Sequence, residues 1–370
     1  MTESVGNDDI PTTVHALIEE SATRGVDLQR SDGAFPSGQN GALAERLTPV
    51  RATAHWLLTL IKAHEISSNE AFAVAADKAI EFLLDTEFRP NQYTYYARTV
   101  QGKDKCNGVI GQAAPIRALA YAGMKLNRPE LIEKSREVFS LHPFSKRLGL
   151  WERVETDGTL LSYDRTLNHQ LIFAAAGATL SSGDGVSELI GVFLRRLKSN
   201  IGLHPSGVIR HYVNPSLQDA TSVAVDSSRH WKMIWNWIIS KYHNYSNNML
   251  KKEIGYLPVN AYALAELRRQ FPEHSIWSHD KIETIIQGIK RDSESIEWDT
   301  YEQGSMVPYI HLAYALLFLC RDSFQKASDL LKKGIRQHYN SETGLLNKDT
   351  ADRHGTSVWI LVNFPNIELV

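Results

Sequence analysis

VRATAHWLLTLIKAH (residues 50–64), followed after a short polar turn by EAFAVAADKAIEFLL (70–84), reads as two consecutive helices. Apolar residues recur at helical spacing in both. The first is rich in Ala, Leu and Trp. The second gathers Glu70, Asp77, Lys78 and Glu81 on its surface, as a helix with one buried face does. Such a hairpin cannot bury its apolar face alone, so further copies must complete the core.

Those copies follow along the chain. Gly111–Gly123 pairs with Pro129–Phe139, Leu167–Leu180 with Val186–Ser199, Pro258–Arg269 with Asp280–Arg291, and Pro308–Cys320 with Ser323–Gln337. Thr12–Arg24 has no partner before it and His354–Val362 none after it, so the two ends can close a ring. The connecting turns DGAFPSG (32–38), LGLWERVETDG (148–158), IGLHPSG (201–207) and TGLLNKD (343–349) each set Gly beside an apolar residue, which suits a helix stop and a tight turn. No Pro/Gly/Ser-rich linker divides the sequence. The expected architecture is all-α, an (α/α)6 barrel of six hairpins in a single domain spanning 1–370. An irregular, aromatic-rich insertion near 213–252 interrupts the rhythm.

With 370 residues, 43% hydrophobic and 22% charged, the chain can bury a large core without staples. A net charge of −2 gives no basic footprint for nucleic acid. Cys106 and Cys320 are too few and too far apart for a disulfide framework or a zinc set. The polar, acidic N-terminus has no signal-peptide pattern, and the apolar run near Ile310–Cys320 is too short for a membrane span. A cytoplasmic location is therefore expected. G-x-S-x-G, P-loop, H-E-x-x-H and Rossmann patterns are absent, and no cofactor or metal is called for.

Candidate chemistry is densest in LWERVETDGTLLSYDRTLN (150–168). Asp164 precedes a strongly helical run and reads two ways, as an N-cap or as a general acid or base at the mouth of a buried helix. Asn168 shares its helix face, and His169 lies one step round. Trp151, Glu152 and Tyr163 complete this cluster; Trp offers a face for sugar stacking, although it is also a common core residue. A second cluster, KDKCNGVIGQ (103–112), supplies Asp104, Asn107 and Gln112 at a helix start. A third holds Arg210 and His211, then Asp226, Arg229, His230, Trp231 and Trp235. Arg210 and Arg229 suit carboxylate binding, since guanidinium grips carboxylate through two bonds. The run 229–248 reads as an aromatic loop or lid. Tyr301, Glu302 and Gln303 form a weaker rim.

Together, CNGVIGQAAPIRALAYAG (106–123), LHPFSKRLGLWERVETDGTLLSYDRTLNHQLIFAAAG (141–177) and GLHPSGVIRHY (202–212) resemble the AglQ-like proteins of archaeal N-glycosylation clusters and related bacterial polysaccharide loci. More distantly the pattern is similar to unsaturated glucuronyl and rhamnogalacturonyl hydrolases, glycoside hydrolase families 88 and 105. The resemblance implies an (α/α)6 barrel acting on acidic or modified sugars with two aspartates, each just before an inner helix. Asp164 matches the second. The first falls in KDKCNG, where Cys106 and Asn107 precede Gly108 and Asp104 is displaced.

The expected function is a carbohydrate-active enzyme working by acid–base chemistry on a uronate-containing or unsaturated glycan. In hydrolysis Asp164 would act with Asp104, Glu152 or Asp226. In elimination or epimerisation Tyr163, His169, His211 or His230 would be the base. A non-catalytic glycan-binding toroid is the alternative from another class. A terpene-cyclase-like toroid would need an Asp-rich motif that the sequence lacks.

Overall fold

The computed structural model describes residues 10–40, 45–180, 185–226, 231–246, 249–295, 306–320, 322–346 and 351–370. Its helices are α1 (Val14–Leu28), α2 (Val50–Ser67), α3 (Glu70–Leu84), α4 (Ile110–Lys125), α5 (Pro129–Ser140), α6 (Leu167–Ala178), α7 (Val186–Asn200), α8 (Leu217–Asp226), α9 (Trp231–Ser246), α10 (Leu250–Gly255), α11 (Leu257–Gln270), α12 (Asp280–Ser295), α13 (Val307–Phe318), α14 (Phe324–His338) and α15 (Ala351–Leu361). Helices α2, α4, α6, α11, α13 and α15 touch one another in that order, and α15 returns to α2. They form the closed inner ring. The outer layer is α1, α3, α5, α7, α12 and α14, so the architecture is the all-α (α/α)6 barrel. No described helix is long and apolar enough to cross a membrane.

Side-chain chemistry explains which helix goes where. Inner α13, VPYIHLAYALLF, is buried from Pro308 through Leu316 because it meets neighbours on every side. Outer α14 buries one stripe, including Ala327, Leu330, Leu331 and Ile335, and gives its charged residues to water. Helix starts carry the expected signals. Asn69 Oδ1 accepts the Ala71 N–H at 3.0 Å, and proline opens α5, α11 and α13. The chain ends do close the ring: Val14 N donates to Ile367 O (3.0 Å) and Leu369 N to Thr12 O (2.8 Å).

Two expectations need correction. The segment LGLWERVETDG is not a simple helix-to-helix turn. It contributes β4 (Leu150–Val154) to an antiparallel sheet with β3 (Phe144–Ser145) and β5 (Leu160–Tyr163), after β1 (Gln39–Asn40) and β2 (Glu45–Arg46) and before β6 (Tyr339–Asn340) and β7 (Leu345–Leu346). Its TDG turn places Gly158 at φ 85°, and Glu155 N bonds Thr159 O, as a hairpin requires. Nor is the stretch near 213–252 irregular, for α8, α9 and α10 occupy most of it. The exposed side chains of α9, Trp231, Trp235, Ile238 and Tyr242, recur every three or four residues, a period that favours helix over loop.

The segments leading into α4 and α6 are fastened alike. Gln112 Oε1 accepts from Tyr95 N, while its Nε2 donates to Tyr95 O (3.0 Å) and Cys106 O (2.9 Å). Gln170 repeats this with Trp151 N and O (both 3.0 Å) and Asp164 O (2.8 Å). In each case a buried carboxamide grips a passing segment and the carbonyl six residues before it. These clamps fix the two loops that build the site.

Candidate active site

Above the N-termini of α4 and α6 lies a cavity of about 590 Å³. Its walls come from the segment before α4 (Arg98, Lys103, Asp104, Asn107, Gly108), from the sheet and its exit (Arg153, Ser162, Tyr163, Asp164, Arg165, Thr166), from His169 and from Trp235 of α9.

Asn107 and Gly108 both take the left-handed conformation, at φ 55° and 63°. The resulting turn directs successive amides at two carboxylates. Gly108 N donates to Asp104 Oδ1 (2.9 Å) and Val109 N to Asp164 Oδ2 (3.1 Å). Asp164 Oδ2 also accepts from His169 Nδ1 (2.9 Å), and its Oδ1 accepts from Thr166 N (3.1 Å). A Cβ on Gly108 would stand 2.3 Å from Asp164 Oδ2 and 3.0 Å from His169 Nδ1. Only glycine allows the turn to lie against this pair.

Electrostatics keep both carboxylates ionised. Burial alone would raise Asp164, yet the His169 ring, the Thr166 amide and Arg153 hold it down to about 2. Burial likewise opposes ionisation of Asp104, but Arg98, the Gly108 amide and Arg153 outweigh it and lower its pKa. Arg153 Nη1 bonds Asp104 Oδ2 at 2.9 Å, and Arg98 Nη2 bonds Oδ1 at 3.0 Å. Neither aspartate is a proton donor near neutral pH.

Of the residues singled out in the sequence, the cavity gathers Asp104, Asn107, Tyr163, Asp164, His169 and Trp235. Asn168 is buried beside them on α6, with no partner for Oδ1 among the described residues. His211 sits behind Thr166, its ring stacked on Tyr256 and its Nε2 3.3 Å from Lys252 Nζ. Burial, Lys252 and His169 push its pKa down to about 3, so it is neutral.

Others are placed elsewhere. Trp151 is no sugar platform: it is fully buried among Phe139, Phe144, Phe173 and Phe193. Gln112 is spent on its backbone clamp. Glu152 is buried on β4 opposite Tyr163 and does not line the cavity. Arg210 lies along Gly202, away from the cavity walls, and Trp231 is exposed without lining them. Asp226 ends α8; Arg229 and His230, like Tyr301, Glu302 and Gln303, lie outside the described residues. Arg98, Arg153 and Arg165 were not anticipated. Arg153 lies on strand β4 and Arg165 directly follows Asp164, whereas Arg98, six residues before Asp104, carries no pattern that marks it.

A closed double ring of helices is a scaffold shared with sugar-processing enzymes. Cellobiose 2-epimerase from Bacillus thermoamylovorans superposes with a TM-score of 0.63 at 12% identity, covering 94% of this chain and 98% of that one. D-mannose isomerase gives 0.60 at 14% identity, covering 95% and 97%. An inactive variant of the GH76A α-1,6-mannanase of Salegentibacter, in complex with α-1,6-mannotetrose, gives 0.59 at 11%, covering 94% and 98%. These likenesses define the fold. No protein-family model matches the chain. In sequence it is 36% identical over 352 residues to archaeal glycosylation protein Q of Haloferax volcanii, covering 92% of this chain and 94% of the relative. The chain belongs to the archaeal glycosylation protein Q family.

Proposed function

We propose that this chain is a carbohydrate-active enzyme that moves a proton on a sugar substrate, with His169 as the base and Asp164 as the residue that orients it. The observation that carries this reading is the 2.9 Å bond between His169 Nδ1 and Asp164 Oδ2. An ionised carboxylate only accepts, so Nδ1 must donate. With Nδ1 committed to the carboxylate, Nε2 is the nitrogen left to take a proton from a substrate in the cavity.

Two-carboxylate hydrolysis requires one protonated carboxyl. Asp104 and Asp164 are both held ionised, which favours base chemistry over that route. Base chemistry suits a sugar whose C–H lies beside a carboxylate or carbonyl. The proton passes to Nε2, and the electron pair it leaves is delocalised into that group. The pair then either expels a substituent from the next carbon, giving elimination, or is reprotonated on the other face, giving epimerisation. Arg153 and Lys103 are paired with Asp104 and Glu45, yet the four cations of the lining, Arg98, Lys103, Arg153 and Arg165, outnumber Asp104 and Asp164, an excess that favours an acidic sugar. Trp235 supplies an aromatic face at the opening. The relative's name, a glycosylation protein, supports a glycan substrate.

The test is incubation with uronate-containing oligosaccharides in D₂O, read by NMR and mass spectrometry. Deuterium at a sugar carbon, or an unsaturated product, is expected from the wild type and not from His169→Ala. A new reducing end without either signal would instead establish hydrolysis. Binding with no chemical change on the whole panel would make the protein a glycan-binding toroid.

A further inference from the structure

We propose that Arg117, at the axis of the helical ring, forms a buried subsite that grips the carboxylate of an acidic sugar. This deepens the reading above and rests on it for the sugar.

Arg117 lies on inner helix α4, two turns beyond Val109, whose amide binds Asp164. At 1.5 Å per residue it stands ~12 Å deeper into the ring than the mouth. Its Nη1 donates to the Tyr262 hydroxyl of α11. The guanidinium carbon stands 4.9 Å from the Trp359 ring centre of α15 and 5.5 Å from that of Tyr262. The two rings lie within cation–π range on one side of it, 5.6 Å apart and nearly perpendicular to each other. Among the described residues, Nε and Nη2 have no partner, although both are buried. These two nitrogens form the side-on edge of a guanidinium, whose parallel N–H bonds match the two oxygens of a carboxylate. No described carboxylate forms an ion pair with Arg117.

A buried cation is not stable by itself, and burying one without an anion costs far more than a missing hydrogen bond. Glu266, whose charge reaches Tyr262, is itself bonded by Tyr314 and paired with Arg269, and the nearby histidines add no counter-charge. The His311 ring is 5.0 Å from Tyr262, and the His55 ring is stacked 4.9 Å from Trp359. Burial first, then Arg117, holds His311 down to about 3; burial, Arg51 and Arg117 keep His55 well below its ordinary range. Both rings are neutral and can bond sugar hydroxyls. The Trp359 Nε1–H is buried and also unpartnered among the described residues, which adds a donor. Arg117, His55, His311 and Trp359 each keep 6–7% of their surface accessible, unlike the sealed core around them. Four inner helices thus converge on a narrow polar space containing one side-on guanidinium edge. That arrangement fits a carboxylate on a pyranose better than a neutral sugar.

Binding of cellobiouronate, cellobiose and glucose 6-phosphate to the full chain, followed by calorimetry and thermal shift, tests the assignment. The wild type should prefer cellobiouronate. Arg117→Gln should weaken that ligand by about tenfold or more, the scale of a charge-assisted pair, with cellobiose little changed. Arg117→Lys, which keeps the charge without the two-pronged edge, should fall between and decides the matter if the glutamine variant does not fold. Unchanged cellobiouronate affinity in these variants, no response in the wild type, or preference for glucose 6-phosphate overturns the assignment. His169→Ala separates the two readings. If it stays active while Arg117→Gln loses the acidic ligand, the proton-transfer role falls and the subsite stands.

Discussion

Asp164 Oδ2 stands 2.9 Å from His169 Nδ1 and 3.1 Å from Val109 N, so one oxygen joins the start of α4 to the first turn of α6. The carboxylate holds a ring in place and at the same time anchors a helix end, where its negative charge is favoured. The N-cap of α6 is Thr166, so Asp164 does not take the capping place its sequence position suggested; it bridges the two helix starts instead.

His169→Ala should lower kcat by about 10²- to 10⁴-fold, the usual weight of a general base, with KM changed little. Asp164→Asn should also lower kcat, because a carboxamide can donate to Nδ1 and leave the wrong ring nitrogen protonated. Steady-state rates on any substrate that the wild type turns over check both. A rate in His169→Ala equal to the wild type would remove the ring from the mechanism.

The ring of helices was legible because each pair carries its own periodicity, and the inner members are visibly less charged. Asp164 and His169 were legible for the same reason, standing at a helix start five residues apart. Arg98 and Arg153 were not, since their partner Asp104 is reached by a loop and a strand that no helical spacing encodes. Trp151 misled because a buried and a sugar-stacking tryptophan look the same in sequence; only its packing against Phe139 and Phe173 tells them apart. The residues before α4 carry the converse lesson. CNG read only as a helix start, and the left-handed pair Asn107-Gly108 explains why no larger residue stands at 108.

Gly108→Ala should therefore damage both stability and rate. The left-handed backbone alone costs a residue with a Cβ ~1–2 kcal/mol, and the added carbon must displace Asp164. A lower Tm is expected together with a loss of kcat beyond what the unfolded fraction explains. Calorimetry and active-site titration measure the two separately. An unchanged rate would mean that the Asp164–His169 contact tolerates movement.

Trp235 and Trp231 make a matched pair, 64% and 66% exposed on the same helix, yet only Trp235 lines the cavity. Stacking is worth about 0.5–1.5 kcal/mol beyond area, so Trp235→Ala should raise KM several-fold. Trp231→Ala should leave it unaltered. Equal effects in the two variants would place the substrate elsewhere.

Acid should lower stability in two stages. His142, His311 and His354 are held by burial at about 4, 3 and 3, below the ordinary value near 6.5. The unfolded chain binds these protons first, so stability falls as pH drops below about 6.5, by up to ~1.4 kcal/mol per unit for each ring. The second stage belongs to Asp164, whose folded pKa of about 2 lies below its unfolded value. Its contribution, on the order of 2 kcal/mol, is present above about pH 4 and is lost as pH falls towards 2. Urea melts at stepped pH should show Asp164→Asn losing the lower stage and keeping the upper one.

The paired glutamine clamps give the last prediction, because they separate structural from chemical damage within one motif. Gln112 and Gln170 are both fully buried, and each uses its carboxamide on the backbone of a passing segment and on a loop carbonyl. Replacing Gln112 with Ala strips its bonds from the Tyr95 N–H and from the Tyr95 and Cys106 carbonyls. Replacing Gln170 strips those of the Trp151 N–H and the Asp164 carbonyl, while the Trp151 carbonyl keeps the Asp164 N–H. Each group left unsatisfied costs roughly 1–3 kcal/mol. Comparable drops in Tm are expected. The consequences for rate should differ, since Gln170 holds the carbonyl of Asp164 itself while Gln112 holds that of Cys106. Well below their melting points, Gln170→Ala should lose kcat through a displaced Asp164–His169 pair. Gln112→Ala, which releases a loop carrying neither Asp164 nor His169, should retain more of it. If the order is reversed, the α4 entry loop contains the base and the dyad on α6 does not.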